Sequence, residues 1–180
     1  MVVPVGNEKI NNKVNKLTIY PVPLPLEEYV DYNFITTNDI SKLSKEQIIN
    51  EAFKFHSQGK ILEAAKCYEY FLKQGFLDPA VLSNLASIKQ EIGQIDHAIN
   101  LYRKCIDLFP ESFKAYSNLG VVLKNIGQLK EAEEMLLKAI QINPRYANAY
   151  LNLGMVLKDL GKLDEAERST RKSIKLKSDF

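Results

Sequence analysis

The fold is decided by the stretch FKAYSNLGVVLKNIGQLKEAEEMLLKAIQINPRY, residues 113–146. Apolar residues in its first half follow one another at steps of three and four, and those in its second half do the same. This spacing puts each set on one face of an α-helix. Gly127 lies between the two runs, where a residue that tolerates positive φ can end one helix and let the next begin. The stretch therefore predicts a helical hairpin.

The same pattern recurs with a period of 34 residues from residue 45 to residue 180. Two columns make the period plain: Gly59, Gly93, Gly127 and Gly161, and Ala64, Ala98, Ala132 and Ala166. Four units, 45–78, 79–112, 113–146 and 147–180, fill this range without a gap. Because hairpin repeats stack on their neighbours to bury a shared core, we expect an all-α solenoid of four helical hairpins.

Small residues predict where the two helices of a hairpin come closest. Gly120 should face Ala132 and Gly154 should face Ala166, because antiparallel helices approach closely only where side chains are small. Helix starts are also marked in the sequence. Ser44 with Gln47 is typical of a capping box, and Asp78 followed by a proline is typical of a helix cap.

The columns of small and apolar residues resemble the tetratricopeptide repeat (TPR). In the last unit they are Tyr150, Leu153, Gly154 and Ala166, with Gly161 between the helices. This resemblance, which covers residues 45–180, implies a right-handed superhelix whose first helices line a groove, and a function in protein or peptide binding. The first unit departs from the pattern, with Glu51 where later units have leucine and Phe76 where a proline is expected.

Residues 1–44 predict an extended, partly disordered N-terminal segment. Prolines alternate with apolar residues in PVPLPL, residues 21–26, which forbids helix and favours an extended chain. Several aromatic and aliphatic residues follow, more than a segment fully in water usually contains. Two interpretations stay open: a flexible leader, or a strap that packs on the first helices or in a neighbour's groove.

The sequence contains no set of residues that predicts catalysis or a bound cofactor. The two histidines, His56 and His97, occupy different columns, and Cys67 and Cys105 fall at apolar positions of second helices, where cysteine serves as a small hydrophobe. Motifs for a nucleophile, a phosphate loop or a zinc site are absent. We therefore expect no enzyme activity, no metal and no cofactor.

Charge and hydropathy restrict the partners and the compartment. Lysine and arginine number 24 against 22 for aspartate and glutamate, a net charge of +2, which favours neither nucleic acid nor an anionic membrane. Neither a secretory leader nor an apolar run of about 18 residues is found in the sequence. We expect a cytoplasmic chain whose partner is a protein or peptide.

One polar column predicts a binding site. Asn50, Asn84, Asn118 and Asn152 recur in the first helix of each unit. Asparagine is an unusual repeated choice at mid-helix, and its amide can both donate to and accept from a peptide bond. The column resembles the asparagine ladder in the TPR region of O-linked N-acetylglucosamine transferase, which implies that these residues grip a peptide backbone. The alternative is that they belong to the repeat consensus and tie neighbouring helices together.

Lysines complete the predicted site. Lys114, Lys124 and Lys158 occupy groove positions of the first helices, together with acidic and apolar neighbours. This mixed, slightly basic lining favours an extended segment with some acidic character.

The last hairpin predicts an open end. A solenoid usually finishes with a polar capping helix, and here Thr170 and Ser173 are at most a partial cap. Two further functions stay open as alternatives to peptide binding. The chain could be the targeting or oligomerisation region of a longer glycosyl-, sulfo- or methyltransferase, or a module that self-associates through its C-terminal repeat.

Overall fold

A computed structural model describes Ile40 and residues 42–178. The predicted extended segment, residues 1–44, lies outside the described residues except for Ile40 and residues 42–44.

The described chain is all-α and contains eight helices packed as four hairpins. In chain order the helices are α1 Lys45–Ser57, α2 Ile61–Lys73, α3 Pro79–Glu91, α4 Ile95–Leu108, α5 Phe113–Asn125, α6 Leu129–Ile142, α7 Ala147–Asp159 and α8 Leu163–Ser178. Each 34-residue unit contains one pair, so the fold class predicted from the repeat is confirmed.

The turns inside the hairpins depend on glycine. Gly59, Gly93, Gly127 and Gly161 have φ angles of 72°, 79°, 80° and 77°, in the left-handed region that other residues rarely adopt. At Gly127 the amide donates to the carbonyl of Lys124 over 3.0 Å, which closes the last turn of α5. Two residues later α6 begins, so the predicted role of this column is confirmed.

The predicted helix caps are present. The Ser44 hydroxyl accepts from the Gln47 amide over 3.3 Å, and the Gln47 side chain accepts from the Ser44 amide over 2.8 Å, which is a complete capping box. Asp78 accepts from the amides of Ala80 and Val81 at the start of α3. Each cap satisfies amides that the first turn of a helix leaves without partners.

Close helix pairing at small residues holds each hairpin together. A Cβ placed on Gly120 would lie 3.2 Å from the carbonyl oxygen of Ala132, and one on Gly154 would lie 3.2 Å from that of Ala166. Gly120 therefore faces Ala132, and Gly154 faces Ala166, as predicted. Around these contacts runs a continuous core from α3 to α8 that includes Leu119, Leu123, Leu136 and Leu153.

Consecutive units are also linked by ion pairs on their surfaces. Glu131 accepts from Arg103 over 2.8 Å, and Glu133 accepts from Lys162 over 2.7 Å, in each case across a unit boundary. Such exposed pairs stabilise by at most about 1 kcal/mol each, so apolar packing dominates the stacking. Within the described part, no helix is long and apolar enough to cross a membrane.

Gly120→Ala tests the close pairing. The new methyl group would approach Leu136 Cγ to 2.8 Å as well as the Ala132 carbonyl, so we expect a loss of about 1–3 kcal/mol in the free energy of unfolding. The sign is diagnostic, because the same change at an open helix position stabilises by about 1 kcal/mol. Urea unfolding of Gly120→Ala with and without Leu136→Ala measures the effect. Equal losses in both backgrounds would contradict the predicted contact.

Candidate functional site

The first helices of the units pack on one another along the stack and are here called the inner helices. Helix α3 packs on α5 and α5 packs on α7, whereas the described second helices show no comparable packing on one another. The asparagine column lies on these first helices, and Asn84, Asn118 and Asn152 are half-buried there.

Asn84 is anchored to the preceding unit. Its Nδ2 donates to the hydroxyl of Tyr68, on α2, over 3.2 Å. The same hydroxyl lies 3.3 Å from His56 Nδ1, to which it can donate in turn. Because Tyr68 is fully buried, its ring is fixed and its hydroxyl holds the Asn84 side chain in one orientation.

Asn118 repeats the arrangement one unit further along. Its side chain lies beside the hydroxyl of Tyr102, on α4, and lowers the pKa of that hydroxyl against the larger rise caused by burial. The Tyr102 hydroxyl also lies 3.1 Å from the hydroxyl of Ser87, and the tyrosine is fully buried. Asn84 uses one donor in its contact with Tyr68, which leaves a second N–H and the Oδ1 acceptor for another partner.

The column is not uniform along the stack. Leu136 occupies the position of the two tyrosines in the third unit, so Asn152 has no hydroxyl at that place. Instead its Nδ2 lies 3.5 Å from the hydroxyl of Ser117, on α5. Asn50, on α1, is exposed. The four asparagines that share one column therefore occupy different environments, and within the described residues Asn84 and Asn118 are the two that lie beside a buried tyrosine.

Both tyrosine hydroxyls are protonated at neutral pH, and burial extends this to higher pH. Burial raises the pKa of Tyr68 and the pKa of Tyr102 above their usual value, since a phenolate in a poorly hydrated site is disfavoured. A protonated hydroxyl can accept from the asparagine and donate to its second neighbour at the same time.

Asn84 and Asn118 line one cavity of about 310 Å³ between α3 and α5. Its other walls are Pro79, Ala80, Ser83, Glu111, Ser112, Phe113 and Lys114. Amides, hydroxyls, a cation, an anion and an aromatic ring thus surround the same space. The cavity can contact both the backbone and a side chain of a bound molecule.

The predicted lysines are not all brought together. Lys114 lines the cavity with the two asparagines. Lys124 lies in the last turn of α5, at the opposite end of the helix, and Lys158 lines a separate groove between α7 and α8. The described residues therefore gather Asn84, Asn118 and Lys114 into one site and leave Lys124, Lys158 and Asn152 apart from it.

The cysteines serve as small apolar side chains. Cys67 and Cys105 are both free and buried. Burial, reinforced by Glu51 and Glu63, raises the pKa of the Cys67 thiol to about 11, so it is protonated at neutral pH. Of the residues that the structure describes, no three histidine, cysteine or acidic side chains form a group that could hold a metal ion.

Tyr68 and Tyr102 are the residues of the candidate site that the sequence pattern did not identify. Both lie 16 positions before an asparagine of the next unit, so the signal was present as a second column at the same period. A tyrosine in a core column is usually explained by its ring alone, which hides a hydroxyl contact across a unit boundary.

These features define a helical-hairpin repeat protein with a polar site on its inner helices. Two models of the Tetratricopeptide repeat match adjoining parts of the chain, one at residues 79–112 and the other at residues 111–179. The chain belongs to the tetratricopeptide repeat family.

Solved structures of similar fold include other TPR proteins. The crystal structure of MamA is 24% identical, with 76% of this chain and 80% of that chain covered at a TM-score of 0.66. TTC0263 of Thermus thermophilus, described as a thermophilic TPR protein, is 25% identical, with 75% of each chain covered and a TM-score of 0.65. YrrB, described as a TPR protein with an unusual peptide-binding site, is 19% identical, with 76% and 70% covered and a TM-score of 0.64. A search of curated proteins found no match.

Tyr102→Phe tests the anchoring of Asn118. Loss of the hydroxyl leaves Ser87 and Asn118 without a buried partner, so we expect the free energy of unfolding to fall by about 1–2 kcal/mol. The side-chain NH₂ resonances of Asn118 should also shift and move closer together. Tyr150→Phe is the matched control, because Tyr150 is only half-buried. An Asn118 spectrum that is unchanged by Tyr102→Phe would contradict the anchoring.

The raised pKa values predict a loss of stability in alkali. The folded state keeps the Tyr68 and Tyr102 protons more tightly than the unfolded state, whose tyrosines titrate near pH 10. The contribution of these two tyrosines to the free energy of unfolding should therefore be constant below about pH 10. It should fall as the pH rises through their pKa values in the folded state. Urea unfolding from pH 8 to pH 11 checks the slope. Tyr102→Phe should show a smaller loss than the wild-type chain.

Proposed function

We propose that the chain binds an extended segment of a partner protein or peptide along its inner helices, without chemical turnover. Asn84 and Asn118 carry the interaction, with Lys114 beside them. Support comes from the one cavity that these three side chains share, and from the buried tyrosines that orient the two amides.

The chemistry of the two amides suits a peptide backbone. Each keeps donor and acceptor capacity beyond its contact with tyrosine, and a peptide bond offers the complementary donor and acceptor. An oriented amide loses little conformational freedom when it binds, which favours affinity. The tyrosine contacts therefore combine both roles that the sequence leaves open: they tie neighbouring units together and prepare the amides for a ligand.

The spacing of the amides also suits an extended ligand. Packed helices lie roughly 8–10 Å apart, and an extended peptide advances about 3.3 Å per residue. Amides on α3 and α5 would then contact backbone groups about three residues apart. Only two asparagines are anchored in this way, so we expect the central contact to cover a short segment.

The charges around the cavity give a mild preference for acidic ligands. Lys114 is exposed at the cavity and can pair with a carboxylate, while Glu111 on the same wall disfavours a strongly acidic segment. Lys124, at the far end of α5, and Lys158, in the groove between α7 and α8, lie apart from this cavity, so they would contact only a segment that reaches beyond it. The free, buried thiols fit a reducing compartment, and we place the chain in the cytoplasm.

Asn84→Ala with Asn118→Ala tests the proposal directly. Peptides are first selected on the wild-type chain from a phage-displayed library of random 12-residue sequences, and binding is measured by fluorescence anisotropy. Two lost amide contacts should weaken binding by roughly 10- to 100-fold. Methylation of single peptide-bond nitrogens in a selected peptide should give a similar loss at two positions, because the contacts are to the backbone.

The control for this test is Asn148→Ala with Asn100→Ala, which removes two exposed asparagines. These changes should leave affinity as in the wild-type chain. Melting curves of both double variants show whether they are folded. Undiminished peptide binding by a folded Asn84→Ala and Asn118→Ala variant would refute the proposed site.

A further inference from the structure

An apolar groove of about 580 Å³ lies at the end of the stack, between α7 and α8. In the earlier units the corresponding face is covered by the first helix of the next unit. Here Leu163 is 65% exposed, Ile174 is 63% exposed and Met155 is 40% exposed. Exposed side chains of this size on one face mark an interaction surface.

The other end of the stack is not its complement. Val81, Leu85 and Ile88 of α3 are buried where that helix packs on the first unit. One period earlier, α1 has Gln47, Glu51 and Lys54 at those positions, and Glu51 and Lys54 form an ion pair of 3.1 Å. Packing α1 of one copy on α8 of another would bury this ion pair. Removing its two charges from water costs more free energy than their attraction provides. A head-to-tail chain of copies is therefore disfavoured.

The exposed stripe of α8 is complementary to itself. Leu163, Glu167, Arg171 and Ile174 follow one another along the groove at steps of three and four residues, so they lie on one face of the helix. Leu163 and Ile174 are nearly equidistant from Ser169, and so are Glu167 and Arg171. If two copies of α8 lie antiparallel, leucine meets isoleucine at both ends and each glutamate meets an arginine in the middle.

We propose that two copies of this chain form a symmetric dimer through α8, with the helices antiparallel about an axis near Ser169. A two-fold axis places the same surface of both copies in contact, and the α8 stripe is complementary to a second copy of itself. Within one chain Arg171 already contacts Glu167 over 2.6 Å, so the guanidinium has only to share its donors with the partner's carboxylate. Apolar contact from Leu163, Ile174 and Met155 supplies most of the affinity, and the charges set the direction. This dimer goes beyond peptide binding and leaves the cavity at Asn84 and Asn118 uncovered.

Exchange of charges tests the antiparallel register. Sedimentation equilibrium of the 180-residue chain should show a monomer of 20.5 kDa in equilibrium with a dimer, with a dissociation constant of about 10 μM. Glu167→Arg alone, or Arg171→Glu alone, places like charges opposite each other twice and should raise that constant by about 10-fold or more. An equimolar mixture of the two variants should form a heterodimer with nearly wild-type affinity. The doubly exchanged variant should form a homodimer again.

Apolar variants test the surface itself. Ile174→Lys should abolish the dimer, while Leu62→Lys, at a side chain 63% exposed on α2, should leave it unchanged. Both sites are on the surface, so melting curves should show folded chains.

Three outcomes would overturn the dimer: a wild-type chain that stays monomeric up to about 0.5 mM, oligomers that keep growing with concentration as head-to-tail stacking requires, or a mixture of the charge variants that does not recover. The first of these would leave the groove to a different protein or to a following repeat. Peptide binding at Asn84 and Asn118 is measured separately and does not depend on this result.

Discussion

The close pairing of helices at small residues is the contact on which the rest of the structure depends. Where Gly120 faces Ala132, a Cβ on the glycine would lie 3.2 Å from the carbonyl oxygen of Ala132 and 2.8 Å from Leu136 Cγ, so the two helices approach closely. This close approach sets the geometry of the hairpin, and each hairpin then packs on its neighbours to bury a shared core. Stacking then places the first helices side by side. The spacing between the residues of the polar site therefore follows from close helix contacts at glycine and alanine.

Contacts between units orient side chains of the candidate site, which contacts inside a single hairpin do not do. Tyr68 and Tyr102 bury their rings against their own units, while their hydroxyls hold asparagines of the next. One side chain thus contributes to stability and to the orientation of the site. Leu136 keeps the packing but lacks the hydroxyl, and the asparagine that follows it turns to Ser117. Leucine in place of tyrosine at this column therefore costs the stability of the fold less than it costs a ligand site that needs an oriented amide.

The sequence predicted the elements of the fold well and the site in part. A period of 34 residues repeated four times determines hairpins, turns and facing positions, because each depends on residue size at a fixed register. The sequence assigned Lys114 to the groove, but it did not show that Lys114 lies beside Asn84 and Asn118. Contacts between units, such as that of Asn118 with Tyr102, decide which members of a column share a cavity. The repeat period in the sequence does not reveal these contacts. The N-terminal prediction lies outside the described residues.

The two ends of the stack differ for a reason that the repeat itself explains. Every inner unit must offer one apolar face to the unit before it and another to the unit after it, but α1 has replaced the first of these with Gln47, Glu51 and Lys54. Because the repeat has apolar residues at those columns in all later units, the polar residues of α1 do not continue the apolar face on which a preceding unit would pack. On α8 the replacement is only partial: Thr170 stands where α6 has Leu136, whereas Leu163 and Ile174 keep their apolar character in an otherwise charged helix. The apolar face of α8 is therefore the surface that the proposed dimer would bury, and the polar positions of α1 explain why α1 would not pack against it.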